Sequence, residues 1–571
     1  MFLPVNLDEM KKKGWEQCDF ILVTPDAYVD HPSFAMAVLG RFLEKNGYKV
    51  GILSQPGWQD PKSFLSLGEP RLAWGVSGGN VDSMVLNYTA NKKRRMEDEY
   101  SENGNAFFAG TEKSIKNKIR PDHTVLVYTN AIRQISKNKP IIIGGLEASL
   151  RRLAHYDHWS ESVKRSILFD AKADILGYGM GEYPLLEILQ NLEKQIPCSA
   201  LQIASTAVIR SSLDSLSDYL ILPSYEEVKK DKKAFGEAYR IFYENKDQKI
   251  LVQKQDTRYL VQFPRREMRR EELDQIYDLP FERNPHPVYK NPIPAFDMIK
   301  ESVTSHRGCF GNCSFCSITF HQGSKIISRT PDSVLNEVKK LSQMSYFHGA
   351  VSDIGGPSAN MYASYCKIGG CASFECLNQN GKACRNLVSG IQNYSELLKK
   401  ACLVNGVKHV FIGSGLRFDP VLMDEGFLTQ VIEKHTSGQL KIAPESGSDK
   451  VLKLMKKPAK EVFEEFKKIF DRILKKLHLR KRLIPYIIIG HPGEGEKEVL
   501  ETLSFLKKNE LEGNQFQIFT PSPMTLSSTI YYLGYNPLTG EEIKTEKQMR
   551  VLESAKKKLV NRNPGKDSYG K

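Results

Sequence analysis

The stretch His306-Arg307-Gly308-Cys309-Phe310-Gly311-Asn312-Cys313-Ser314-Phe315-Cys316 places three cysteines on one short loop with the spacing C-x3-C-x2-C. Three thiolates so spaced can each hold one iron of a cubane [4Fe–4S] cluster, and the fourth iron then has no ligand from the motif. An open corner can take a substrate or cofactor, by the logic that separates a catalytic zinc site from a closed structural one. Gly308 and Gly311 let the loop wrap closely where a Cβ would hinder it. Zinc or buried free thiols are the other reading of the three cysteines, but zinc ligands usually come as two C-x2-C-like halves.

Outward from this loop the chain alternates. Residues 301–304, just before it, read as a strand, and further candidate strands lie at 349–353, 409–412, 440–443, 484–489 and 515–519, most separated by helical stretches such as 331–341. Six such βα units predict a partial (β/α)6 barrel of TIM type over residues 296–530, interrupted by a cysteine-rich insert at 360–390. Residues 531–571 read as a helix and a polar tail. Toward the amino terminus, apolar runs at 20–24 and 49–53 flank a helical pattern at 33–45. Runs at 140–143 and 173–176 end in Gly144-Gly145 and in Gly177-Tyr178-Gly179. Strands followed by glycines predict a Rossmann-like α/β domain over 1–200, with its ligand crevice at the carboxyl ends of the strands. Residues 201–295 read as charged helical stretches and then a proline-rich run, a connector between the two domains.

Composition bounds the partners. Lys plus Arg exceed Asp plus Glu by 81 − 67 = +14, which favours acidic partners such as nucleic acid, but the basic residues fall in short scattered groups that read as solvated surface. The first residues carry no apolar signal core and no stretch is long and apolar enough to span a bilayer, so a soluble cytoplasmic protein with no membrane partner is expected. Of ten cysteines, seven fall between Cys309 and Cys384. In a reducing compartment such crowding points to metal ligands rather than disulfides.

C-x3-C-x-(aromatic)-C at the first strand of a βα series, with Phe315 in the aromatic place, resembles the signature of radical S-adenosylmethionine (SAM) enzymes. The resemblance implies that SAM chelates the open iron through its amino and carboxylate groups. One electron, supplied by a reductant such as flavodoxin or ferredoxin, then cleaves SAM to a 5′-deoxyadenosyl radical, with Phe315 near the adenine. Asp353-Ile354-Gly355-Gly356-Pro357 is similar to the glycine-rich motif whose backbone meets the SAM amino group, with Pro357 where the family keeps an acidic residue. Ala443-Pro444-Glu445-Ser446-Gly447-Ser448 offers Glu445 to ribose hydroxyls, and Gly490-His491-Pro492-Gly493-Glu494 resembles the adenine-flanking segment. Each could be an ordinary strand-to-helix turn; they share a place at the carboxyl ends of strands, where barrel active sites lie. His306, Tyr362 and His491 are catalytic candidates by position only.

The segments GVSGGNVDSMVLNYT from Gly75, IIIGGLEASLRRLAHYDHW from Ile141, SDIGGPSANMY from Ser352 and FTPSPMTLSSTIYYLGYNP from Phe519 together resemble the YgiQ-type radical SAM proteins, a family without an established reaction. A second cysteine group, Cys366, Cys371, Cys376 and Cys384, could hold an auxiliary iron–sulfur cluster or one tetrahedral zinc, or be free thiols. The first domain is similar in order to cobalamin-binding domains. Those with a histidine ligand to cobalt carry Asp-x-His-x-x-Gly, and here Asp30-His31-Pro32 breaks the pattern, which speaks against cobalamin. Two rival functions are a methylthiotransferase acting on RNA or a ribosomal protein, and a non-catalytic iron–sulfur or zinc sensor. The first lacks its extra amino-terminal cluster cysteines, since only Cys18 and Cys198 stand there; the second has no use for Gly355, Gly356 and Glu445.

Overall fold

Phe20–Thr24 reads FILVT and is buried at every residue, as a strand covered on both faces of a parallel sheet must be. In the computed structural model, which describes residues 1–371, 375–511 and 515–560, it pairs in parallel with Val50–Ser54 on one side and Ala73–Ser77 on the other. Ile141–Gly144 and Ile175–Gly177 continue the parallel sheet. The helix Ala35–Lys45 makes the first crossover and buries Val38, Phe42 and Leu43. Ala73–Ser77 escapes a pattern reading because Gly75 interrupts it; a Cβ there would stand 2.4 Å from the Phe20 ring.

Residues 201–295, expected as a helical connector, do hold the helices Tyr225–Lys230, Lys232–Asn245 and Arg270–Tyr277, but also carry four strands of this same sheet. Thr206–Arg210, Tyr219–Leu222, Ile250–Gln255 and Arg258–Gln262 extend it to nine strands, several pairings now antiparallel. For the last two strands the reason is chemical: their inward positions include Gln253, Gln255 and Gln262, all buried. Their side-chain oxygens accept from Ala154 N (2.9 Å), Ser166 N (3.0 Å) and Arg152 Nε (2.8 Å). Buried polar groups satisfied in this way hide the apolar alternation by which strands are recognised. The chain divides into units Met1–Lys300 and Glu301–Lys571, not at residue 200.

In the second unit the parallel pairings run in chain order. Ser302–Thr304 pairs with Asp353–Gly355, Ala350–Val351 with His409–Val410, and Leu416 bridges to Ile442. Gln439–Glu445 pairs with Arg482–Ile489, which pairs with Phe516–Ile518. Helices Pro331–Ser342, Ile391–Cys402, Glu425–Lys434, Lys460–Leu477 and Glu496–Lys508 separate successive strands. Their apolar stripes, including Val338, Leu398, Val431 and Phe466, meet Ile354 and Ile487 of the strands in one core. The helix Met549–Val560 adds Leu559 to it; the tail beyond lies outside the described residues. Among the described residues no helix is long and apolar enough to cross a membrane.

Candidate cluster and cofactor site

The cysteine loop leaves the first strand of the second unit and is held by its backbone. Gly308 takes φ +85°, and a Cβ there would stand 2.0 Å from the Lys325 carbonyl oxygen. Cys309 N donates to Gly323 O (3.2 Å), and Ser314 N and Oγ donate to Met455 O (3.1 Å) and Leu454 O (2.7 Å). Burial pushes the Cys309 thiol up, and pushes Cys316 up to about 12 with Cys313 and Cys309 adding to it. Three half-buried thiols on one loop ionise more readily beside positive charge, which cluster iron supplies, so the donor set fits such a group.

The structure adds a residue that sequence reasoning missed. Arg417 Nη1 donates to Cys313 Sγ at 3.6 Å. Its guanidinium is fixed by Asp419, through Nε at 2.7 Å and Nη2 at 3.2 Å, and Arg417 N donates to Asn360 Oδ1 at 3.0 Å. A Cβ at Gly311 would stand 2.6 Å from Arg417 Nη1, so this glycine makes room for the guanidinium. Nothing in the chain's pattern marks one arginine among 81 basic residues.

Glu445 is buried and takes φ +71°, rare for a residue with a side chain. Burial raises its pKa against the pull of Lys457 and Arg417; Lys457 Nζ stands 3.8 Å from its carboxylate. Phe315 is half-buried with its ring 6.3 Å from that of His491, edge to face. His491 itself is buried, its Nε2 2.7 Å from Ser527 Oγ, which is 2.8 Å from Ser314 Oγ. This relay ties the 490–494 segment to the cysteine loop. Burial lowers the His491 pKa to about 4, so the ring serves as a neutral support.

The glycines at the other expected contacts are explained first by packing within the protein. A Cβ on Gly355 would meet Ser414 Oγ at 2.1 Å, one on Gly356 the His306 ring at 2.7 Å, and one on Gly490 (φ +78°) Leu552 at 2.6 Å. His306 is buried, with Nδ1 2.9 Å from Ser305 Oγ, and burial lowers its pKa to about 4. Tyr362 donates its hydroxyl to Arg329 O at 2.9 Å. Both are bonded within the protein.

Of the second cysteine group, Cys371 is exposed and the other three half-buried. Burial pushes Cys376 up to about 11, with Cys366, Cys371 and Cys384 each close enough to add to it. Among the described residues no three or more His, Cys, Asp or Glu side chains are already set around a metal position. That holds for the Cys309 loop and for this group alike.

In the first unit the carboxyl ends of the parallel strands are filled by the chain's own charges. Arg120 Nη2 donates to Asp26 (2.8 Å), its Nε to Asp98 (2.9 Å) and its Nη1 to Gly78 O (3.2 Å), all buried. Glu147 accepts from Ser83 N (3.2 Å) and Val125 N (3.0 Å). Asp30 is paired with Arg41, while His31 is buried, accepts from Ser33 N at 3.1 Å and packs on Phe296.

Comparison with known proteins follows this division. Residues 2–302 match the family described as Radical SAM N-terminal, and residues 303–506 the Radical SAM superfamily. A UPF0313 protein of Clostridium botulinum (strain ATCC 19397 / Type A) is 44% identical over 566 residues, covering 96% of this chain and 86% of its own. One of Thermotoga neapolitana is 44% identical over 581 residues, covering 99% and 100%. In fold the chain is similar to the radical SAM methyltransferase TsrM of Kitasatospora setae, solved with tryptophan substrate and a SAM analog. The TM-score is 0.50 at 14% identity, over 89% of this chain and 75% of that one. Both halves of the chain matched, and relatives aligned over nearly all of this chain, place it in the radical SAM superfamily, as a member of the UPF0313 family.

Proposed function

We propose that the second unit is a partial (β/α)6 barrel in which Cys309, Cys313 and Cys316 hold a [4Fe–4S] cluster and the neighbouring strand ends bind SAM. When bound, the cluster supplies one electron that splits SAM into methionine and a 5′-deoxyadenosyl radical, the electron coming from a flavodoxin- or ferredoxin-type donor. The chain's own residues bind, orient and exclude water. Arg417 offsets the thiolate charge at Cys313. Glu445 accepts from the ribose hydroxyls. Phe315 and the segment from Gly490 flank the adenine, and the backbone at Gly355 and Gly356 faces the amino group. The observation that carries this reading is Glu445: a buried carboxylate in a left-handed conformation, with Lys457 at 3.8 Å. Such an outlier persists where the surroundings impose it, and a ligand repays it.

Cobalamin stands outside this reading. The strand ends where it would sit are occupied by Asp26, Arg120, Asp98 and Glu147; Asp30 is paired with Arg41, and His31 is buried with its Nδ1 accepting from Ser33 N. The residues present do not fit the group.

The test is SAM cleavage by the anaerobically reconstituted, dithionite-reduced protein. The intact chain should yield 5′-deoxyadenosine and methionine, and a Cys309→Ala/Cys313→Ala/Cys316→Ala variant neither. Glu445→Gln should keep its iron and weaken SAM binding about tenfold or more, since a hydrogen bond to a charged group contributes about 1.5–3 kcal/mol. An iron-loaded intact protein that binds no SAM would overturn the reading in favour of an iron–sulfur sensor.

A further inference from the structure

The insert that follows the second strand has no core of its own. Among its described residues from Tyr365 to Ser389 only Gly381 is buried. A segment this small and polar, with its backbone nevertheless arranged in two short ladders, needs a cross-link in place of a hydrophobic core.

The ladders bring its cysteines together. Leu377 bridges Ala383 in antiparallel register, which sets Cys376 opposite Cys384, and Cys384 N donates to Cys376 O at 2.9 Å. Leu387 N donates to Cys384 O at 2.9 Å, and Leu387 is the register partner of Cys366 across the ladder Tyr365–Cys366/Leu387–Val388. Three cysteines thus lie in or next to these two pairings, and Cys371 lies in the chain between Cys366 and Cys376. The group also touches the cluster loop. Phe310, between Cys309 and Cys313, is buried with Met361 and Leu422 in a small apolar cluster against which Cys376, Leu377, Leu387 and Cys309 pack.

We propose that Cys366, Cys371, Cys376 and Cys384 form a closed tetrathiolate zinc site that fastens the insert over Phe310 and so steadies the loop of the first three cysteines. Four thiolates complete a tetrahedral sphere and leave no open position, the mark of a structural site. Zinc carries no redox change, which suits a group whose Cys371 is exposed to solvent. Binding releases the thiol protons and converts metal affinity into folding energy for a segment that has little else. The loop and the insert share apolar contacts, so loss of the zinc loosens Phe310 and the cysteines on either side of it.

The test is elemental analysis of the full chain purified anaerobically, beside two variants. The intact chain should hold about one zinc in addition to about four irons. The Cys309→Ala/Cys313→Ala/Cys316→Ala variant should lose the iron and keep the zinc, which separates this site from the proposed SAM cluster. Cys376→Ser/Cys384→Ser should lose the zinc and take up iron less completely. Because that variant can misfold, cobalt is also exchanged into the Cys309/Cys313/Cys316 variant, where sulfur-to-cobalt charge-transfer and tetrahedral ligand-field bands should appear. Iron and sulfide retained by the triple variant in place of zinc would overturn the proposal in favour of an auxiliary cluster. A triple variant with no metal and four freely titratable thiols in the insert would overturn it in favour of free cysteines.

Discussion

Arg417 is a side chain whose role the cysteine spacing alone does not disclose. Its guanidinium lies 3.6 Å from Cys313 Sγ and is locked by Asp419, so a fixed positive group donates to a thiolate of the proposed cluster. Reduction adds negative charge to such a cluster, and hydrogen bonds and positive charge at its sulfurs favour the reduced state. Arg417→Gln should therefore lower the reduction potential by tens of millivolts, of the order of the 59 mV that marks a tenfold change for one electron. An EPR-monitored redox titration reads this directly. An unchanged potential at full iron content would reduce Arg417 to a packing role through Asp419 and Asn360. The three cysteines are legible in the sequence because their spacing is itself the chemistry; Arg417 is not, because a single contact made across the fold leaves no local pattern.

At the scale of elements, the segment from Gly490 to Glu494 carries a measurable cost. Glu494 is buried, and burial pushes its carboxyl up to about 7 despite the Gly490 N–H that donates to it, with Glu498 nearby adding to the shift. Its Oε1 has no hydrogen-bond partner among the described residues. An unfolded glutamate titrates near about 4.3. Between there and about 7 the folded chain keeps a proton that the unfolded chain gives up, so stability falls as pH rises through that window. The full loss, about 3 kcal/mol, is reached above it. Glu494→Gln should melt several degrees above the parent at pH about 8 and close to it at pH about 5; equal pH slopes in thermal unfolding would remove Glu494 as the source. Several elements were legible as apolar runs, although Tyr219–Leu222, equally apolar, was not. Phe20–Thr24, Val50–Ser54 and Arg482–Ile489 fall within a residue or two of expectation. The hairpin Ile250–Gln255/Arg258–Gln262 was not, although Asp256 at φ +55° marks its two-residue turn, because its inner face is built from bonded glutamines.

For the whole molecule, the chain divides at Lys300 into two units. The nine-stranded first unit is organised at its strand ends by Arg120, which is buried between Asp26 and Asp98. Removing one member of a buried ion network leaves uncompensated charge and costs about 3–5 kcal/mol, whereas replacing the whole network by apolar groups of similar size can be neutral. Arg120→Ala should thus destabilise the first unit strongly, Asp26→Leu/Asp98→Leu/Arg120→Met should recover much of the loss, and iron uptake by the second unit should survive both. The same network bears on the proposed exclusion of cobalamin, since Asp26, Arg120 and Asp98 lie bonded to one another at the strand ends. Titrating hydroxocobalamin into the intact chain should leave its visible spectrum that of the free corrinoid, with none retained on gel filtration. Stoichiometric retention with a shifted spectrum would show that the network opens, and would return the first unit to the cofactor-binding role that its strand order suggests.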